Sequence, residues 1–262
     1  MPELPDVEMA RRYLARHAAG RRIKRVLVPD PGIVRNAGPR ALAAALRGRP
    51  VVEPERIGKW LGCWTDGPGL LLHFGMTGEL RSSSEDPARH RWDRLILTFD
   101  DGTELRYRNL RRLGGVWLAR NRDEAAAVLG RLGPDALAVG TDELVERLSR
   151  RRGGLKAALL DQTFLAGVGN LLADEILWRA RLHPRRRIET LERAERSRLA
   201  RALGSVVREW VERYDDVMDD RARLISVRGE AGAECPRCRT ALERTTAVGR
   251  TTWFCPSCQP HP

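Results

Sequence analysis

The hydrophobic period of this chain changes once, and that change limits what it can fold into. From Ile23 to Leu118 the apolar residues fall in short β-type runs: Ile23–Val28, Val51–Ile57, Lys59–Trp64, Leu70–Phe74, Leu95–Phe99, Glu104–Tyr107 and Val116–Leu118. Asp66-Gly67 and Asp101-Gly102 lie between neighbouring runs, as tight antiparallel turns require. After Gly133-Pro134-Asp135 the spacing becomes helical, over Thr141–Arg150, Leu155–Asp161, Asn170–Ala180 and Thr190–Tyr214. The last carries the stripe Leu191, Ala194, Leu199, Ala202, Val206, Trp210 and Tyr214. In the first half, helical spacing occurs from Pro5 through Val7, Ala10, Leu14 and Ala18 to Gly20, and again at Leu42–Leu46. The pattern predicts an α+β chain: a β-sandwich or barrel with a packed helix, then a helical region, then a small module entered through Gly229–Gly232. The expected domains are 1–130, 131–228 and 229–262.

That last module holds Cys235-Pro-Arg-Cys238 and Cys255-Pro-Ser-Cys258, separated by 16 residues. Two such knuckles supply four thiolates for one tetrahedral, structural zinc ion per chain and leave no open position for catalysis. Between them, Thr245–Val248 and Thr251–Phe254 flank Gly249-Arg250, which reads as a β-hairpin with Arg250 at its tip. Cys63, between Gly62 and Trp64, reads as a buried apolar residue. The formal net charge is +12, which points to a polyanionic partner, nucleic acid before membrane. Of 47 basic residues only Lys24, Lys59 and Lys156 are lysines, so each marks a place where a compact ammonium is retained. No run of about 18 apolar residues is present, and no apolar leader opens the chain. With reduced cysteines, this predicts a cytoplasmic, nucleoid-associated protein without a membrane partner.

The N-terminus reads Met1-Pro2-Glu3-Leu4-Pro5-Asp6-Val7-Glu8. Removal of Met1 leaves Pro2 as a secondary amine, and an α-amino group titrates near pH ~7.7–8.0. An unprotonated amine can attack an aldehyde-like carbon and form a Schiff base, and the adjacent Glu3 is placed to move protons. Further on, Leu159–Asn170 joins two helices through Gly167 and Gly169, with Asn170 where the next helix begins. Two glycines permit close approach to a ligand, and the helix amides with Asn170 form a candidate phosphate site.

Together, MPELPDVE, the LDQ…GVGN…ADEIL…HP run from Leu160 to Pro184, and the terminal GR…FCPSCQ resemble the Fpg/Nei (MutM-type) family of DNA glycosylase/AP lyases. The resemblance spans the whole chain in order. It implies a β-sandwich domain, a helix–two-turn–helix domain and a zinc finger, with double-stranded DNA carrying damaged bases or abasic sites in a basic cleft. It further implies that Pro2 attacks C1′ of the damaged nucleotide, that Glu3 assists sugar-ring opening, and that Lys59 binds a phosphate beside the lesion. His73 then matches a phosphate contact, Met76 a wedge filling the space of the flipped base, and Arg111 the arginine facing the orphaned base. Lys156, Asn170 and Arg250 match further DNA contacts. The chemistry implied is base release followed by β- and δ-elimination, without a catalytic metal, by a monomer.

The chain departs from that pattern at four places. Leu113 stands where the family's wedge is phenylalanine, Asn109-Leu110 where Asp-Pro is usual, and Asp6 where glutamate is usual. The stretch from Tyr214 to Cys235 is shorter than the Gly- and Thr-rich segment that closes over 8-oxoguanine. These departures predict weak excision of 8-oxoguanine relative to ring-opened or bulkier lesions. Two rival readings are a non-catalytic lesion- or structure-specific DNA-binding protein and a zinc-ribbon transcription or translation factor. Neither needs the Pro2-Glu3 pair.

Overall fold

The computed structural model describes residues 2–261; Met1, whose removal frees the Pro2 amine, lies outside them. The chain forms two units: Pro2 with Asp6–Arg131, and Glu3–Pro5 with the residues from Leu132 on.

The elements of the first unit, in order, are α1 (Leu4–Ala18, from Asp6 on), β1 (Ile23–Leu27), α2 (Pro39–Leu46), β2 (Glu55–Ile57), β3 (Trp60–Trp64), β4 (Gly69–His73), β5 (Gly78–Ser82), β6 (Asp93–Phe99), β7 (Glu104–Asn109), β8 (Gly115–Ala119) and α3 (Arg122–Leu129). The strands make two four-stranded sheets, ordered β1-β6-β7-β5 and β2-β3-β4-β8, and every pairing is antiparallel. Alternate residues of both sheets share one core: Leu61 and Cys63, Leu70 and Leu72, Leu95, Leu97 and Phe99, Leu105 and Tyr107, Val116 and Leu118. This period of two is what a sandwich core demands. Val7, Leu14 and Ala18 of α1 join the same cluster.

The outer face of the second sheet is covered as well. Trp64, Leu71 and Ala119 pack with Ala125 of α3, which explains why Leu70-Leu71-Leu72 is an unbroken apolar run. The apolar pattern does not reveal α3, because its sequence RDEAAAVL contributes few large residues. It does not reveal β5 either, since GELRS offers Leu80 alone as an apolar inward residue.

The second unit contains α4 (Thr141–Ser149), α5 (Leu155–Leu160), α6 (Asn170–Arg179), α7 (Arg193–Glu212), two short helices α8 (Tyr214–Val217) and α9 (Leu224–Val227), and the hairpin β9 (Glu243–Ala247) and β10 (Arg250–Phe254). Helix α7 begins three residues later than its periodicity predicts. A reciprocal capping box between Glu192 and Glu195 sets its start. Helix α6 is buried at every position from Leu172 to Trp178, and α5, α7, α9 and β10 pack around it. A helix enclosed on all sides must satisfy any polar group it carries internally, and α6 carries Asp174 and Glu175.

Candidate active site

Glu3 is buried, and its carboxylate is the anion at the N-terminus of α6. Oε2 accepts from the backbone amides of Gly169 (2.9 Å) and Leu172 (3.1 Å), and Oε1 from Leu171 (2.8 Å). Leu4 N donates to Gly167 O at 3.1 Å. The two glycines exist to admit this segment. A Cβ on Gly169 would stand 2.2 Å from Glu3 Cδ, and one on Gly167, at φ +108°, would stand 2.6 Å from Leu4 Cδ1. The close approach expected for a ligand therefore serves the chain's own N-terminus, and the amides expected to hold a phosphate hold Glu3. Gln162 braces the loop, accepting from Gly167 N (3.0 Å) and donating to Val168 O (2.9 Å). Pro2, half-buried, is peptide-bonded to the residue that carries this fixed carboxylate.

In the first unit, Lys59 directly precedes β3 and His73 ends β4; their neighbourhood follows from the register that pairs Trp60 with His73. The Trp60 and His73 rings lie 4.9 Å apart. Burial first, and the Lys59 charge second, push the His73 pKa below its ordinary value, so the imidazole is neutral near pH 7.

Two turns carry the expected wedge residues. Met76 is 40 % exposed and Leu113 55 %, while Arg111 Nη1 points at Met76 Sδ from 3.2 Å. The turns are joined by Asn109, which is wholly buried. Its Oδ1 accepts from Thr77 Oγ1 (3.2 Å) and Arg112 N (2.9 Å), and its Nδ2 donates to Phe74 O (3.2 Å) and Tyr107 Oη (2.7 Å). Arg35 Nη2 holds the second turn through Arg112 O (2.9 Å) and Gly114 O (2.6 Å). The sequence marks Asn109 only as a departure from a motif; that it clamps both turns is visible only once they are adjacent.

The hairpin turn is Val248-Gly249, at φ +54° and +66°, the geometry of a two-residue turn with both central residues left-handed. Arg250 is thus not the tip but the first residue of β10, paired with Ala247. The sulfurs of Cys235, Cys238, Cys255 and Cys258 lie within 4.8 Å of one another, with closest approaches of 3.5 Å, 3.5 Å and 3.9 Å. Tetrahedral Zn–S bonds of about 2.3 Å place sulfurs roughly 3.8 Å apart, so the set fits one zinc ion, which cross-links the two knuckles. Trp178 Nε1 donates to Cys235 Sγ at 3.3 Å, and Gln259 ties the module to the helices through Leu182 O (2.9 Å).

Lys156 and Asn170, both expected as DNA contacts, each bond a residue of β10. Lys156 is only 1 % exposed; its ammonium donates to Asp174 Oδ1 (2.5 Å) and Thr252 Oγ1 (2.7 Å) and is not presented to solvent. Asn170 is half-buried, and its Nδ2 donates to Thr251 O at 2.9 Å. The short stretch after α7 is cross-linked rather than loose. Arg223 bonds Asp220 and Glu209 (both 2.9 Å), Glu175 Oε2 accepts from Ile225 N (3.0 Å), and Arg221 pairs with Glu230 through both guanidinium amines (2.5 and 2.8 Å).

Comparison with known proteins accounts for both units. Residues 1–116 match the model of the formamidopyrimidine-DNA glycosylase N-terminal domain, residues 132–221 the formamidopyrimidine-DNA glycosylase H2TH domain, and residues 232–260 a zinc finger found in FPG and IleRS. A formamidopyrimidine-DNA glycosylase of Parafrankia sp. (strain EAN1pec) is 38% identical over 288 residues, covering 100% of this chain and 99% of that protein. The Lactococcus lactis formamidopyrimidine-DNA glycosylase, solved non-covalently bound to DNA containing an AP site, aligns with TM-score 0.89 at 28% identity over 99% of this chain and 100% of its own. The same enzyme solved with DNA containing N7-benzyl-Fapy-dG gives TM-score 0.87 at 28% identity and the same coverage.

Proposed function

The chain belongs to the formamidopyrimidine-DNA glycosylase family, DNA glycosylases with AP lyase activity that act in base-excision repair, and from that premise we propose how its own residues divide the work. The Pro2 nitrogen attacks C1′ of the damaged nucleotide, the bond from C1′ to the base breaks, and an iminium forms. The iminium acidifies the sugar protons, so the bonds to the 3′ and then the 5′ phosphate are lost by successive elimination. Glu3 is the proton carrier for ring opening. The observation that carries this reading is the carboxylate of Glu3 itself: three amides and a cleared glycine hold it in one orientation beside the nucleophile.

Lys59 and His73 serve a phosphate beside the lesion, His73 as a neutral donor. Met76, Arg111 and Leu113 fill the space left when the base leaves the stack, as base-flipping enzymes require. Arg250 and Asn170 flank the lesion on the second unit, and Cys235, Cys238, Cys255 and Cys258 hold the zinc. The protein acts as a monomer where chromosomal DNA and reduced thiols coexist, with working domains at 1–130, 131–228 and 229–262. Among the described residues no helix is long and apolar enough to cross a membrane.

The substrate preference is for abasic sites and for ring-opened or bulky bases over 8-oxoguanine. The pinned helices α8 and α9 and the small Leu113 side chain support it: neither provides a long segment to fold over a flipped purine. Single-turnover excision across a lesion panel at one salt concentration tests it. 8-Oxoguanine opposite cytosine is expected among the slow lesions, and its emergence as the fastest would refute the preference. For the reaction itself, borohydride should trap the wild-type protein on abasic DNA, and Pro2→Gly should sharply reduce trapping.

A further inference from the structure

Asp174 sits on the enclosed helix α6 and uses its carboxylate fully. Oδ1 accepts from Lys156 Nζ (2.5 Å), and Oδ2 from Arg228 Nη2 (2.7 Å) and the backbone amide of Trp253 (3.2 Å). Lys156 reaches on to Thr252 Oγ1 (2.7 Å), and Thr252 in turn donates to the carbonyl of Arg250 (3.1 Å). One turn nearer the start of α6, Asn170 Nδ2 holds Thr251 O (2.9 Å). Four successive residues of β10, Arg250 to Trp253, are therefore fixed by polar bonds that begin on α5 and α6.

The charges fit an internal purpose. Two cations, Lys156 and Arg228, share one buried carboxylate, and the ammonium also donates to the hydroxyl of Thr252, itself fully buried. A lysine meant for a phosphate would show its ammonium to water, where DNA arrives. This one is sealed beneath the strand that carries Arg250.

We infer that Lys156 and Asp174 are positioning residues: a buried ion pair that docks the zinc-module hairpin on α6 and so aims Arg250 at DNA, with Lys156 itself touching no phosphate. This rests on the reading of Arg250 as a DNA contact. It also makes α6 the common mount for two parts of the site, since the same helix holds Glu3 at its N-terminus and the hairpin one turn further on.

Salt dependence separates a phosphate contact from a positioning residue. Each phosphate neutralised contributes about 0.9 to the slope of log K against log salt, and losing one contact removes roughly that amount. For Lys156→Met in the full-length, zinc-loaded protein on abasic-analogue duplex DNA, affinity is expected to fall about tenfold or more in step with Arg250→Ala. The double variant should bind no more weakly than Arg250→Ala alone. Zinc should remain at one per chain, and hydrogen exchange in the 243–254 peptide should accelerate without DNA as the hairpin loses the Lys156–Thr252 bond that holds it to the helices. Asp174→Asn, which keeps the shape and removes the charge, should reproduce the exchange and affinity changes.

Unchanged exchange in both variants would overturn the docking role. So would additive losses in the double variant, or a slope loss for Lys156→Met that persists on the Arg250→Ala background, which would place the ammonium on a phosphate. An unchanged slope for Arg250→Ala alone would instead remove the reading of Arg250, and the exchange experiment would still decide whether the ion pair docks the hairpin.

Discussion

Glu3 shows how tightly single residues are specified. Its carboxylate accepts three amides, so moving it disturbs both its own orientation and the start of α6. Gly169→Ala should therefore behave like a mutation of Glu3: the added Cβ has 2.2 Å where it needs well over 3 Å. Strand cleavage at abasic sites should fall by about 10²–10⁴-fold, the range of a lost acid–base group, with zinc content unchanged; near-normal cleavage would show that Glu3's placement does not matter. Asn109 offers the corresponding test on the first unit. Asn109→Ala removes the acceptor that Arg112 N and Thr77 Oγ1 share, a cost of about 1–3 kcal/mol for each group left unpaired. Excision from duplex DNA should drop, while cleavage of single-stranded abasic DNA, which needs no wedge, should persist. Equal losses on both substrates would mean that Asn109 supports the fold in general. His73, held neutral by burial and by Lys59, gives a pH prediction. The affinity difference between wild type and His73→Asn should stay flat as pH falls from about 7.5 to about 6.5, the range in which an unperturbed histidine charges. A gain toward low pH would show a charged imidazole on phosphate.

At the scale of elements, the zinc module and α6 depend on each other through β10. Chelating the zinc should free the two knuckles, release the hairpin and abolish specific DNA binding; full affinity without metal would make the module dispensable. The cysteine spacing and the strand and helix periods were legible from the chain alone, because the zinc ligands and the packed faces of regular elements leave local patterns. What lay hidden was of a different kind. β5 and α3 have too few large apolar residues to show a period, and the start of α7 depends on a capping box. The roles of Gly169, Lys156 and Asn109 depend on partners 166, 96 and 35 residues away in the chain. The motif around Gly167 and Gly169 was readable as a close approach, but what approaches could not be read from spacing.

For the whole molecule, a net charge of +12 and arginines across both units predict steeply salt-dependent binding to any DNA, roughly 0.9 in logarithmic slope for each phosphate engaged. Charge brings the protein to DNA without saying what it does there; the reaction rests on one amine. The most direct test is to reduce the wild-type protein on abasic-site DNA with borohydride, digest it, and locate the cross-linked residue by mass spectrometry. The adduct should lie on the N-terminal peptide at the Pro2 nitrogen, with none formed by protein that retains Met1. An adduct on Lys59 or Lys156, or equal trapping of the Met1-retaining protein, would contradict the account.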